Sequence, residues 1–119
     1  MPSQNAYLMC TYQTLFHNDE CGYVILCRGC DSIQVAFGNL LLTWNRPDFY
    51  DFFEFVKRMF NETPIDAATI NKKTLAIPVP CDGVRILLST RELQQLHQML
   101  DMAETELQSQ QLMSLLSGE

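Results

Sequence analysis

Positive charge is scarce in this chain. Its 119 residues carry eight Lys and Arg against fourteen Asp and Glu, a net charge of −6. Because Lys and Arg supply most of the affinity for nucleic acid by neutralising its phosphates, this balance predicts that the protein binds neither DNA nor RNA. The acidic excess lies at one end, since residues 92–119 hold five acids and no base. We favour a solvated helix face there, with a docking surface for a basic partner as the alternative.

The chain also lacks long apolar runs and an early basic segment. Its purely apolar runs, residues 23–27 and 40–42 among them, are at most five residues long and fall far short of the ~20 residues that span a bilayer. No Lys or Arg precedes Arg28, whereas a secretory signal begins with basic residues. The protein is therefore expected to be cytoplasmic and to make no membrane contact. In that compartment its five cysteines are expected to remain reduced thiols.

The motifs of the common enzyme classes are missing as well. There are only two histidines, and there is no Gly-x-Ser-x-Gly, no phosphate-binding loop and no Gly-x-Gly-x-x-Gly. His97 lies at the edge of a leucine stripe, where a packed or half-exposed helix histidine is commoner than a general base. The sequence therefore predicts no catalytic residue and no cofactor-binding residue.

The patterns that are present indicate a single α+β domain over residues 1–119. Residues 1–45 contain four β-type segments separated by turn sequences, which predicts an antiparallel meander. Residues 46–61 form a Phe-rich amphipathic helix with Asn45 as its N-cap, and residues 74–88 form a β-hairpin. We expect a mainly antiparallel sheet of about six strands with the Phe-rich helix across one face.

A long C-terminal helix is predicted over residues 90–116. Ser89 and Glu92 have the spacing of a capping box, directly before a heptad-like apolar stripe. The stripe consists of Leu93, Leu96, Leu100, Ala103 and Leu107. Beyond it the apolar residues lie on other faces: Leu112, Met113, Leu115 and Leu116. The distal end therefore either frays or packs against another chain, and we favour a two-fold homodimer formed through this C-terminal helix.

The sharpest local motif is Cys27-Arg28-Gly29-Cys30. Two cysteines at this spacing around a tight turn can present both sulfurs to one tetrahedral metal ion. If the first hairpin turns near position 19 or 20, Cys10 lies opposite approximately position 29. The metal-site hypothesis is therefore a structural zinc ion held by Cys10, Cys27 and Cys30, with an unknown fourth ligand for which Cys81 is a candidate. Reduced, metal-free cysteines are the alternative.

The same pair permits a redox interpretation. Cys-x-x-Cys serves disulfide exchange when its first cysteine begins a helix after a strand, because the helix dipole lowers the thiol pKa. Here the pair joins two predicted strands, which disfavours that chemistry. The hairpin register also places Cys21 next to His17 at the far end of the hairpin, outside the predicted zinc site.

One stretch resembles a known group of proteins. Residues 21–30 lead through Cys27 and Cys30 into a strand that ends Phe37-Gly38-Asn39, and this pattern resembles a family of short uncharacterised bacterial proteins. The resemblance covers about the first sixty residues. It implies a bacterial, cytoplasmic protein with no assigned activity, and it transfers no functional residue.

Three functions are compatible with these observations. The first is a small interaction or scaffold module, homodimeric and without catalytic activity, with structural zinc as a refinement. The second is a thiol-based redox or metal-handling protein that uses Cys27 and Cys30. The third is a small-molecule sensor that uses the Phe-lined interface between the helix and the sheet.

Overall fold

The computed structural model describes residues 11–118, and its first half is a four-stranded meander. The strands are β1 (Tyr12–Asn18), β2 (Gly22–Cys27), β3 (Ser32–Phe37) and β4 (Leu40–Asn45). They pair antiparallel in chain order, β1-β2-β3-β4. Strand β3 alternates throughout between buried and half-buried residues, and β2 does so from Tyr23 to Leu26, which is the pattern of a sheet with one face in the core.

The first hairpin contains a β-bulge. Its register runs from Tyr12 opposite Cys27 to Thr14 opposite Ile25, and this part agrees with the predicted register. The register then shifts, so that His17 pairs with Tyr23. The prediction that His17 lies next to Cys21 is therefore wrong, because a bulge adds one residue to β1 and moves every later pair by one position.

Helix α1 (Arg46–Glu62) begins directly after β4. The Asn45 Oδ1 atom accepts a hydrogen bond from the Asp48 N–H at 2.8 Å, which confirms the predicted N-cap. Pro47 lies in the first turn, where its missing N–H removes no helical hydrogen bond. The predicted helix over residues 46–61 ends one residue before the observed one. The buried side of α1 consists of Phe49, Phe52, Phe53 and Val56.

The remaining strands form a separate hairpin. β5 (Leu75–Pro78) and β6 (Arg85–Leu88) pair only with each other. The α+β class and the antiparallel strands are confirmed, but the six strands divide into two sheets instead of forming one. Pro78 ends β5 and Pro80 follows it, and because proline has no N–H to donate, the ladder stops after four residue pairs.

Helix α2 (Thr90–Leu116) has the predicted bounds and the predicted capping box. Ser89 Oγ accepts from the Glu92 N–H at 3.2 Å, and a Glu92 carboxylate oxygen accepts from the Ser89 N–H at 2.9 Å. Lys73 pairs with the same carboxylate. Burial alone raises the pKa of Glu92, but the hydrogen bonds from Lys73 and Ser89 outweigh it and hold that pKa below its usual value.

The core lies between the meander, α1 and α2. All five residues of the predicted stripe are buried: Leu93, Leu96, Leu100, Ala103 and Leu107. Helix α2 contacts β1, β2 and α1, and the His97 ring stacks on Phe60 with centroids 4.2 Å apart. His97 is thus a packed helix residue, as the sequence suggested. Within residues 11–118, neither helix combines the length and apolarity required to cross a membrane.

Candidate functional site

The Cys-x-x-Cys turn joins β2 to β3 at one end of the meander. Cys27 is the last residue of β2, and Cys30 lies two residues before β3. Asp31 closes the turn in the left-handed region, with φ of 53°, and its carboxylate accepts a hydrogen bond from Arg46 Nε at 2.8 Å. The first residue of α1 therefore anchors the turn that carries both cysteines.

The two cysteines of this turn are brought together. Their sulfur atoms are 2.9 Å apart, and Cys30 Sγ also lies 3.2 Å from Ser32 Oγ. Cys27 is buried whereas Cys30 is exposed, so reagents from solvent reach the Cys30 side of the pair. Sulfurs that share a tetrahedral zinc ion are about 3.8 Å apart, given Zn–S bonds of ~2.3 Å. The observed sulfur separation is therefore shorter than that of two ligands of one zinc ion.

The other predicted ligands are not gathered at this turn. Cys10 lies outside the described residues, so its place in the predicted zinc site stays a prediction. Cys81 is exposed in the turn between β5 and β6. Among residues 11–118, no three His, Cys, Asp or Glu side chains form a group that could hold a metal ion, so Cys81 does not join Cys27 and Cys30 there.

Cys21 lies at the opposite end of β2. Cys21 and Cys27 are six positions apart, a distance of about 20 Å along an extended strand. Burial raises the pKa of the Cys21 thiol and Glu20 adds to this effect, while backbone N–H groups of Cys21 and Gly22 act against it. Cys21 is therefore a poor nucleophile and is well separated from the Cys-x-x-Cys turn.

A second surface is formed by the end of α2, residues 107–118, which we call the distal segment. It contains no charged residue. Its last buried side chain is Leu107, and its other apolar side chains are between 58% and 75% exposed: Leu112, Met113, Leu115 and Leu116. At 100° per residue these four occupy an arc of about 160° on roughly the opposite side of the helix from the buried stripe.

The distal segment is held in place from the Cys-x-x-Cys turn. Arg28 Nη2 donates to Gln110 Oε1 at 3.2 Å, and Arg28 Nε donates to Gln13 Oε1 at 2.8 Å. A groove of about 490 Å³ lies between the turn and the helix, with Arg28, Arg46, Gln110 and Met113 among its lining residues. This link leaves no signal in the sequence, because Arg28 and Gln110 are 82 positions apart and no local pattern joins them.

Negative charge lies just before the distal segment. Asp101, Glu104 and Glu106 all fall within the middle turns of α2. Burial raises the pKa of Glu104, and the neighbouring Asp101 raises it further. Helix α2 is therefore divided into an acidic middle and an uncharged, apolar end.

Comparison with known proteins agrees with the resemblance seen in the sequence. No curated protein and no solved structure matches this chain. A family model does match it, over residues 9–117, which is nearly the entire chain. The match includes both sheets, both helices and the Cys-x-x-Cys turn. The chain therefore belongs to DUF6686, a family of unknown function.

Proposed function

We propose that this protein is a small, non-catalytic interaction module that forms a two-fold homodimer through the distal segment. The observation that carries the proposal is the group of four exposed apolar side chains on a helix end without charge. Contiguous apolar surface of this kind is characteristic of interaction sites. The hydrogen bond from Arg28 to Gln110 supports the proposal, because it holds the helix in a defined position two residues before the first of the exposed residues.

The distal segment is self-complementary when two helices cross antiparallel. A crossing centred at Ser114 places Leu112 opposite the partner's Leu116 and Met113 opposite the partner's Leu115. Flexible methionine side chains fill the irregular gaps of such an interface. If residue i of one copy contacts residue j of the other, then j of the first copy also contacts i of the second, as two-fold symmetry requires.

Charge also favours the antiparallel arrangement. In a parallel pair, Asp101 would face its own copy across the interface, with Glu104 and Glu106 at the two edges, which is repulsive. In the antiparallel crossing at Ser114, these helical acids lie beyond the end of the partner helix. The acidic middle of α2 therefore selects the orientation, while the distal segment supplies the contact.

Light scattering tests this proposal with one double substitution. The full chain is expected to have about twice its monomer mass of 13.7 kDa at micromolar concentration. Replacing Leu112 and Leu116 with serine is expected to give the monomer mass, because it removes the central apolar pair on each helix. The matched control replaces Leu41 and Leu87 with serine. These leucines lie on the two sheets and are 57% and 55% exposed, and the control is expected to leave the dimer intact.

Two results would contradict the proposal. One is a monomeric full chain at micromolar concentration. The other is an equal response of the two double variants, since loss of apolar surface in general, and not the distal segment, would then control assembly.

The proposal also includes the class of partner and the cellular compartment of the protein. The net charge of −6 supports a protein partner in preference to a nucleic acid. The exposed thiols of Cys30 and Cys81 suit a reducing compartment such as the cytoplasm. A bacterial source follows only from the resemblance and remains an expectation.

The paired sulfurs of Cys27 and Cys30 favour a second candidate function, thiol-based metal binding, in which zinc held with Cys10 stabilises the module. Protein purified without added metal is then expected to contain about one zinc ion per chain by elemental analysis, consistent with a single tetrahedral site. Serine at Cys27 or Cys30 is expected to abolish the zinc content. Serine at Cys21, the matched control, is expected to preserve it.

The zinc hypothesis fails if the purified protein contains no zinc, or if the Cys21 variant loses zinc as completely as the Cys30 variant. A metal-free protein that forms a Cys27–Cys30 disulfide in reversible equilibrium with glutathione would instead support the redox alternative. Mass spectrometry identifies that state by the loss of two hydrogen atoms per chain.

A further inference from the structure

The Cys-x-x-Cys turn places its two thiols in unequal positions. Cys27 is only 1% exposed, whereas Cys30 is exposed to solvent, and their sulfur atoms are 2.9 Å apart. A reagent in solution therefore reaches Cys30 directly, while Cys27 is reached only through Cys30. Disulfide exchange proceeds through a mixed disulfide that a second thiol then attacks, and this arrangement supplies one sulfur for each of the two steps.

The turn is anchored on both sides of this pair. The Arg28 N–H donates to the Thr11 carbonyl oxygen at 2.9 Å, which ties the middle of the turn to the residue before β1. The Asp31 carboxylate accepts from Arg46 Nε at 2.8 Å, which ties the end of the turn to α1. Neither hydrogen bond involves a sulfur atom. A change in the covalent state of the thiols therefore leaves both anchors in place and keeps the two sulfurs close together.

Ser32 lies beside the exposed thiol. Its Oγ atom is 3.2 Å from Cys30 Sγ, which is within hydrogen-bonding distance for a sulfur atom. A serine hydroxyl can donate as well as accept, so it can donate to Cys30 once that thiol has lost its proton. The thiolate is the form that attacks a disulfide, and a hydrogen bond to it favours that form. Exposure and hydrogen bonding thus both favour Cys30 as the thiol that reacts first.

We propose that Cys30 is a modification site that forms a mixed disulfide with a low-molecular-weight disulfide such as glutathione disulfide, and that Cys27 resolves it. A small disulfide is sufficient, because the first step requires only access to Cys30 Sγ. This order is the reverse of the helix-start arrangement, in which the helix dipole activates the first cysteine. The inference rests on the thiol-based candidate function and does not depend on homodimer formation.

The two steps consume one molecule of glutathione disulfide. In the first, the Cys30 thiolate attacks one sulfur of the reagent, whose S–S bond breaks, and the departing glutathione thiolate takes up the proton that Cys30 released. In the second, the Cys27 thiolate attacks Cys30 Sγ, the mixed disulfide breaks, and a second glutathione leaves with the proton from Cys27. The protein loses two electrons and two protons as its internal disulfide forms, and the reagent is reduced to two glutathione thiols.

Peptide mapping tests this order in the full chain. Protein freed of metal with a chelator is treated with glutathione disulfide, quenched with N-ethylmaleimide and cleaved with trypsin. Cleavage after Arg28 separates the two cysteines, so Cys30 is the only cysteine of the peptide over residues 29–57. Mass spectrometry with fragmentation then assigns each adduct and each disulfide to its residues.

The unmodified chain is expected to give a Cys27–Cys30 disulfide with little glutathione on Cys30. In Cys27→Ser, Cys30 is expected to hold at least about tenfold more glutathione than in the unmodified chain, because the adjacent resolving thiol is missing. In Cys30→Ser, Cys27 is expected to stay unmodified, because its burial excludes the reagent.

Cys81 is the control within the same chain. It is exposed in the turn between β5 and β6, on the other sheet, and is expected to accumulate glutathione equally in all three proteins. Thermal melts confirm that both variants remain folded. If Cys27→Ser unfolds, a time course on the unmodified chain replaces it, and the adduct on Cys30 is then expected to precede the internal disulfide.

Three results would overturn the proposal. Glutathione that appears first on Cys27 would show that the order is inverted, although a thiol-based function would stand. Cys30 that keeps glutathione as Cys81 does, or that stays unmodified while Cys81 reacts, would remove the thiol-based function of this pair. A disulfide from Cys30 to a cysteine other than Cys27 would assign the second step to a different residue. None of these results depends on the mass in light scattering, so homodimer formation is judged separately.

Discussion

Replacing Gly22 with alanine is expected to lower the free energy of unfolding by about 3 kcal/mol or more. Gly22 has φ of 141°, and an added Cβ would lie 1.8 Å from the carbonyl oxygen of Ala36. That oxygen belongs to the backbone of β3, whose pairing with β2 begins at Gly22 and Phe37. No side-chain movement relieves the overlap, so the two strands must separate locally. Because domains are stable by only about 5–15 kcal/mol, urea denaturation will detect the loss clearly.

Gly38→Ala is the matched control for this substitution. Gly38 also has a positive φ, 57°, but an added Cβ there meets nothing within 4 Å. Its cost is therefore limited to the left-handed backbone penalty, about 1–2 kcal/mol. Equal losses of stability in the two variants would show that the close approach of Gly22 to β3 is not what requires glycine.

Replacing Leu100 with alanine is expected to cost about 2–5 kcal/mol of stability, the range for large-to-small substitutions in well-packed cores. Leu100 is fully buried within the stripe that α2 presents to the rest of the core. The substitution leaves a cavity, because α1 and the meander hold the surrounding side chains in place. Urea denaturation at several protein concentrations separates this effect from any change in assembly.

Gln98→Ala on the same helix serves as the comparison. Gln98 is exposed, so its replacement is expected to change stability by less than about 0.5 kcal/mol. A loss below about 1 kcal/mol for Leu100→Ala would mean that the stripe is not packed as tightly as the burial of its residues indicates.

Elements with a strong local signal could be predicted from the sequence. The capping box at Ser89 and the stripe from Leu93 to Leu107 both depend on spacing along one helix, and both are confirmed. The bulge in β1 was missed although it has a signal. Leu15 and Phe16 are adjacent apolar residues in a strand, and burying neighbours on one face requires an extra residue in the ladder.

Features that depend on distant residues could not be predicted. Strand patterns do not show which strands share a sheet, so the separate β5–β6 hairpin emerged only from the structure. A pocket of about 270 Å³ beside Trp44 is similar, because it joins residues of α1 to Pro78 and Pro80 from a later hairpin. The phenylalanines of α1 indicated a core face, and most of them do lie in the core.

The contact between α2 and β1 sets the order in which the chain can fold during synthesis. Every pair in the meander is between strands that follow one another, so the four strands can associate soon after they leave the ribosome. Helix α1, which follows β4 directly, packs on β3 and β4, but the buried face of β1 and β2 must wait for α2, the last of the described elements. During that interval the apolar side of β1 and β2 is open to solvent, and an exposed apolar face of this kind raises the risk of aggregation or chaperone capture.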